Sequence, residues 1–347
     1  MTTDFTMHQY TRHKPTVGDE NSEMYLSDVA GPIIIAPSYE WSNAGSLERI
    51  AEHIAMHRDN IGGISPRIQS MQYNGEKRSY VARLVWEDGL RPVHSEILKL
   101  YDVTKSRELH SHRTLTDRDI DNLYVPHLYD HKAMLPNGIG AVLMEDRSNY
   151  GRFTEFDTSE VKKLASLVKA AECLEFVHST GSHGDVKINN FMGSGDQVRI
   201  IDLEGYQRPE IWQMTPEYAS PEIMQLIGLH LKERNYKLTS DEAKALERID
   251  DTYNAQANDV YSFGVVVQNV LSDKRMVRKH RRVNKNSEKF AQYLALAQNP
   301  HQVYIPSEYT GLTEALKAAH EIQPENRPSI FEMKRSLLDT LNGITGK

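Results

Sequence analysis

LEFVHSTGSHGDVKINNFMGSGDQVRIIDLEGY, residues 174–206, is the stretch on which the reading of this sequence turns. Its start continues the helical spacing of Val161, Leu164, Leu167, Val168, Ala171, Leu174 and Val177, so a helix runs into it. A polar loop follows with Asp185, Lys187 and Asn190, then a hairpin through residues 193–195, then a β-type run ending at Asp202. Phosphoryl transfer from ATP asks little covalent chemistry of a protein. It needs a carboxylate to accept the hydroxyl proton, a cation near the moving group, and oxygen ligands that hold Mg2+ or Mn2+ on the phosphates. Asp185, Lys187, Asn190 and Asp202 supply that set within one stretch.

Before this segment the signals are mostly β. Residues 67–73 and 77–86 read as strands around Asn74-Gly75, a dipeptide that suits a type I′ hairpin. Residues 94–101 read as a helix, and two more strands are expected at 125–135 and 139–145, joined by Pro136-Asn137-Gly138. Residues 1–40 read as a loosely ordered extension in which only 32–36 could pair as a strand, and SLERIAEHIAMHRD from Ser46 reads as a short helix. After residue 157 helical spacing dominates. The expectation is an α+β fold: a small antiparallel sheet lobe with one main helix, stacked on a larger helical lobe with a cleft between them. The divisions expected are an extension over 1–60, the sheet lobe over 61–145, and the helical lobe over 146–340 with an insertion at about 223–258.

The 347 residues suggest about two compact units. Lys and Arg number 41 against 48 Asp and Glu, a net charge of −7 that argues against a dedicated nucleic-acid binder. No window approaches the roughly 18 apolar residues of a membrane span, and the first residues carry no apolar signal core. One cysteine, Cys173, excludes an intramolecular disulfide, so a reducing cytoplasm is the expected address. The 15 His show no zinc-like spacing.

The segment resembles the protein-kinase superfamily, whose catalytic loop reads HRDxKxxN and whose metal-binding motif reads DFG. MTPEYASPE at 214–222 looks like the kinase segment ending in APE, NDVYSFGVVV at 258–267 like the start of the central helix, and ENRPSIFEM at 325–333 like the late Arg-Pro motif. The resemblance implies a bilobal fold that uses ATP, a protein Ser/Thr substrate, a pairing of Glu222 with Arg327, and Asp259 bracing the catalytic loop. It also implies that Thr215 contacts Asp185 and Lys187. Met144 would stand behind the adenine, Glu145 and Arg147 would lie on the hinge, and Gly62 and Gly63 would remain of the phosphate loop. His183, Leu100 and Leu203 would join an apolar stack between the lobes. The family's strand lysine is expected in SYVARLVW, which has none, so Arg83 is the candidate replacement with Glu96 as its helix partner; a slip of one residue would put Leu84 there instead.

Several departures carry consequences. Gly184 replaces the Arg of HRD, and only twenty positions separate Asp202 from Glu222, so activation by phosphorylation of that segment is not expected. Glu204 replaces the Gly of DFG, and TSDEAKALERIDD from Thr239 reads as an inserted helix with a Thr239/Glu242 capping box. KRMVRKHRRVNK at 274–285 reads as a solvated loop or a dock for an acidic partner, phospholipid or nucleic acid. Three functions compete: a Ser/Thr protein kinase, a pseudokinase serving as a binding or allosteric module, and a small-molecule phosphotransferase resembling aminoglycoside or choline kinases. The ASPE, DVYSFG and Arg-Pro motifs oppose the last.

Overall fold

The computed structural model describes residues 22–25, 32–35, 51–52, 55, 64–74, 79–88, 91–102, 114–119, 121, 123–126, 128–135, 139–146, 153, 159–203, 206, 214–272, 286–298 and 309–346. The fold is mixed α+β, with a small antiparallel sheet and several helices. The chain divides into two compact units, one of residues Met1–Arg118 and Pro126–Asp146, the other of Asp119–Val125 and Arg147–Lys347.

In the first unit, β1 (Ser22–Tyr25) pairs with β2 (Pro32–Ile35). The second of these is the strand expected at 32–36; the first carries no strong sequence signal. The main sheet contains β3 (Arg67–Asn74), β4 (Ser79–Asp88), β5 (Arg91–Asp102), β6 (Leu128–Leu135) and β7 (Ile139–Glu145), in the order β3-β4-β5-β7-β6 with every pair antiparallel. Strand β4 alternates over most of its length: Tyr80, Ala82, Leu84 and Trp86 are buried on one face, while Val81 and Arg83 on the other are half-buried and Val85 beside them is buried too.

Two expectations about this sheet are corrected. Asn74 pairs with Ser79, so four residues separate β3 from β4 where a type I′ turn would leave two. Residues 94–101 are strand, not helix. Burial there has period two, with Glu96, Leu98 and Leu100 inside and Ile97 and Lys99 less so. The register sets Asp88 opposite Arg91, leaving only Gly89-Leu90 between β4 and β5. A glycine opening a two-residue connection is a hairpin signal, and pairing along ten positions of β4 outweighs the weak helical pattern of a short apolar run.

The second unit is helical. Helix α1 (Glu160–His178) starts at Ser159, whose hydroxyl accepts a hydrogen bond from the Lys162 N–H. It buries Leu164, Leu167, Ala171, Leu174 and Val177 of the stripe read from the sequence, while Val168 is half-buried and Val161 at the first turn is exposed. A short hairpin, β8 (Phe191–Met192) with β9 (Arg199–Ile200), follows. Helices α2 (Pro221–Asn235), α3 (Ser240–Thr252), α4 (Ala255–Leu271), α5 (Asn286–Gln298), α6 (Thr310–Ala319) and α7 (Ile330–Thr345) complete it. Helix α4 is buried on every side from Ala257 to Gln268, the polar Asn258, Asp259, Ser262 and Gln268 included. Burying each of Phe263, Val265, Val266 and Val267 is worth about 1.5–3 kcal/mol. α4 is therefore the fixed element against which the loop of residues 181–190 is set. The expected inserted helix is α3, and its Thr239/Glu242 capping box forms in both directions. Among the described residues no helix is long and apolar enough to cross a membrane.

Candidate functional site

The loop after α1 is anchored from below by α4. Asp259, fully buried, accepts the backbone N–H of His183 at 2.6 Å and that of Gly184 at 2.9 Å, and it meets Nε2 of His178 at 3.0 Å. The side chain of Gln256 donates to the carbonyls of His178 and Gly181 at 2.8 and 2.7 Å. A carboxylate that receives this many donors orients the loop and offsets the cost of its own burial. Gly184 has φ 84°, a left-handed conformation that a side chain at this position would strain. That is a local backbone reason for glycine where the family pattern has arginine.

His183 is also fully buried. Asp185 donates its N–H to Nδ1 at 3.2 Å, and Nε2 faces the carbonyl of Ile201 at 3.0 Å. An amide donates and a carbonyl accepts, so the ring proton belongs on Nε2. The imidazole thus links the loop to the strand end at Ile201 and is engaged in structure at both nitrogens.

Asp185, Lys187 and Thr215 form a closed triangle. Oδ1 of Asp185 accepts the Thr215 N–H at 2.7 Å, Oδ2 accepts Nζ of Lys187 at 2.5 Å, and the same Nζ donates to the Thr215 hydroxyl at 3.1 Å. Two of these three links join residues about thirty positions apart. The carboxylate keeps acceptor capacity beyond them, since an ionised carboxylate offers about four lone-pair sites.

Asn190 and Asp202 are brought together by the backbone. Nδ2 of Asn190 donates to the Asp185 carbonyl at 2.9 Å, which assigns Oδ1 as the atom that could face a cation. The Ile201 N–H donates to the Asn190 carbonyl at 2.8 Å, setting Asp202 one residue beyond that bond. Asp202 has φ 62°, the only positive φ outside glycine among the described residues. Such a residue costs on the order of 1–3 kcal/mol and persists where its surroundings hold it. The described residues contain no group of three His, Cys, Asp or Glu able to hold a metal alone. One amide oxygen and one carboxylate fit a cation of the Mg2+ kind, which keeps several waters and takes phosphate oxygens as ligands.

The distal pair forms as the resemblance implies. Arg327 donates to both oxygens of Glu222, at 2.6 and 2.7 Å, and packs over the Tyr261 ring. The remaining motif residues fare differently. Met144 and Glu145 close β7, Arg83 lies on β4, and Gly62, Gly63, Arg147, Glu204 and the basic run 274–285 lie outside the described residues.

The expected Arg83–Glu96 pair is corrected. In an antiparallel sheet directly opposed residues share a face; Arg83 opposes Ile97, and Glu96 opposes Leu84. The two side chains therefore project from opposite faces of the sheet. Arg83 pairs instead with Asp146 at 2.5 Å and donates to Gln69, while buried Glu96 meets Nε2 of His94 at 3.1 Å. Reading β5 as a helix also hid Lys99, the sole lysine on β4 and β5, which opposes Val81 on one side and Val142 on the other. Lys99 and Met144 fall on one face, because Ile97 opposes Met144 and Ile97 and Lys99 alternate together. The signal that could have revealed Lys99 was the Gly89-Leu90 hairpin connection.

No family model matches the chain, and a search of the curated proteins finds no match.

Proposed function

We propose that this chain is a divergent protein-kinase-like phosphotransferase of bilobal kinase-like fold, which moves the γ-phosphoryl group of ATP to Ser or Thr hydroxyls of a protein with Mg2+ or Mn2+. The observation that carries the reading is the Asp185–Lys187–Thr215 triangle, with Asn190 and Asp202 tied to it through the backbone. Asp185 takes the proton from the acceptor hydroxyl as that oxygen bonds to the γ-phosphorus and the bond from phosphorus to the ADP oxygen breaks. Lys187 offsets charge on the moving group, and Thr215 holds both residues. Asn190 and Asp202 hold the metal, which supplies charge neutralisation on the phosphates when bound. On the sheet, Lys99 is our candidate for the strand-lysine role in place of Arg83, which Asp146 and Gln69 engage, with Met144, Glu145 and Arg147 given to the adenine.

A second reading, a pseudokinase serving as a binding module, draws on the engagement of Arg83 by Asp146. Thermal unfolding with ATP separates the two. Stabilisation by a ligand at 100 times its dissociation constant is about 2.7 kcal/mol. The kinase reading expects a rise in Tm with ATP that needs Mg2+ or Mn2+ and is lost in Asp202→Asn. An equal rise in EDTA, or none with metal, favours the module.

A further inference from the structure

The left-handed backbone of Asp202 must be held from both sides, and the structure shows what does so. Before it, Ile201 is fixed at its N–H by the Asn190 carbonyl and at its carbonyl by His183. After it, Leu203 is fully buried and its carbonyl accepts the Tyr206 N–H at 3.2 Å. Tyr206 is itself buried, and its phenol donates to the Thr180 hydroxyl at 2.5 Å. Thr180 stands just past the end of α1, where its hydroxyl donates to the Val177 carbonyl at 3.4 Å and its N–H to the same oxygen at 3.2 Å. Tyr206 is thus moored, through a pair of hydroxyls 26 positions apart, to a helix whose inner face is buried.

We propose that Tyr206 and Thr180 form a clasp that holds Asp202 in its left-handed conformation and thereby sets the affinity of the site for its metal; the second half of this statement rests on the metal role given to Asp202 above. Both are positioning residues, since neither hydroxyl is among the atoms assigned to metal or nucleotide. The chemistry fits a clasp. A buried phenol needs a hydrogen-bond partner, and Thr180 accepts from it while its own proton goes to the Val177 carbonyl. Removing the Thr180 oxygen takes away the phenol's partner, while Tyr206→Phe leaves the exposed Thr180 with its bond to the Val177 carbonyl; either change unties the residue that closes back on Leu203.

The test uses the full chain with Tyr206→Phe, Thr180→Val, the double variant, and Thr180→Ser as the conservative control. Amide exchange is read at Ile201 and Tyr206, whose N–H groups are bonded on either side of Asp202, and at Tyr261 in α4 as a reference for global stability. Loss of one such hydrogen bond corresponds to about a 2- to 10-fold change in a local equilibrium. Exchange at Ile201 and Tyr206 is expected to quicken by that factor in Tyr206→Phe and Thr180→Val, no further in the double variant, and not in Thr180→Ser, with Tyr261 unchanged. The Mg2+ concentration needed for half-maximal ATP binding is expected to rise in parallel. Unchanged protection at Ile201 and Tyr206 overturns the clasp, as does a rise shared equally by Tyr261. Faster local exchange with unaltered Mg2+ dependence overturns the link to the metal. A wild type that binds ATP without metal dependence overturns the metal role of Asp202 and that link with it, while the exchange data still decide the clasp.

Discussion

Arg327 and Glu222, 105 positions apart in sequence, meet through two parallel hydrogen bonds of 2.6 and 2.7 Å, with the arginine side chain fully enclosed. Arg327 also donates to the carbonyls of Glu321, Ile322 and Ala257, so one guanidinium joins the ends of α2, α4 and α6. Breaking a buried pair by removing one partner costs about 3–5 kcal/mol, because the remaining charge has no compensation. Glu222→Gln and Arg327→Met are each expected to lower stability by that order in urea unfolding. The double variant should lose less than the two single losses added. Additive losses would show that the two residues act independently.

Arg83 and Lys99 are expected to separate stability from nucleotide binding. Arg83→Met breaks the bond to the buried Asp146 and should destabilise the protein while leaving the dissociation constant for ATP within about 2-fold, an effect below 0.5 kcal/mol. Lys99→Met should weaken ATP binding by about tenfold or more, as expected for loss of a charge-assisted contact worth about 1.5–3 kcal/mol. Calorimetric titration of both variants checks this. The reverse ranking would return the cation to Arg83.

Cys173 should behave as an inert thiol. It is fully buried, its Sγ lies 3.5 Å from the Val198 carbonyl, and burial pushes the thiol up to about 12 from an ordinary value of 9.0. Between those values the unfolded chain binds fewer protons than the folded one. The stability contributed by the neutral buried thiol is therefore full below about pH 9 and falls as pH rises toward 12. A thiol reagent at pH 8 should label Cys173 only at the rate of unfolding, and Cys173→Ala should flatten the alkaline loss of stability. Rapid labelling of the native protein would contradict this.

The capping box of α3 gives a prediction at acid pH. The Glu242 carboxylate accepts from Lys232, at 2.6 and 2.8 Å, and from the Thr239 N–H and hydroxyl, and these partners hold it below its ordinary range, the Lys232 bond contributing most. Its contribution is thus present above the ordinary value of 4.5 and is lost as pH falls through the lower folded one. Thr239→Ala should cost about 1 kcal/mol at neutral pH. Glu242→Gln should reduce the acid dependence of α3 protection in amide exchange, and an unchanged acid profile would remove Glu242 from that role.

The loop at 181–190 was legible because its polar residues Asp185, Lys187 and Asn190 lie within a few positions of one another and such a pattern survives an error of a residue or two. Most of the α1 stripe was legible for a related reason, since long periodic segments average out local exceptions. Strand β5 was not, because a short run such as SEILKLY satisfies both periods and only pairing with β4 and β7 decides between them. That single misreading displaced Glu96 to the wrong face and hid Lys99. Asp146 as the partner of Arg83, and Thr180 as the partner of Tyr206, had no local signal at all. Each contact depends on register or on a chain path that only tertiary packing fixes.

The central claim is that Asp185 accepts the hydroxyl proton during phosphoryl transfer. Its most direct test is transfer of radiolabelled γ-phosphate from ATP with Mg2+ or Mn2+ to a generic Ser/Thr protein acceptor, comparing wild type with Asp185→Asn at matched ATP occupancy. Proton transfer by a positioned side chain is worth about 10²–10⁴-fold, so the account predicts a fall of that size in turnover with ATP affinity little changed. Equal transfer by the two proteins would contradict it, and a wild type that binds Mg2+-ATP without transferring phosphate would move the assignment to a nucleotide-binding module.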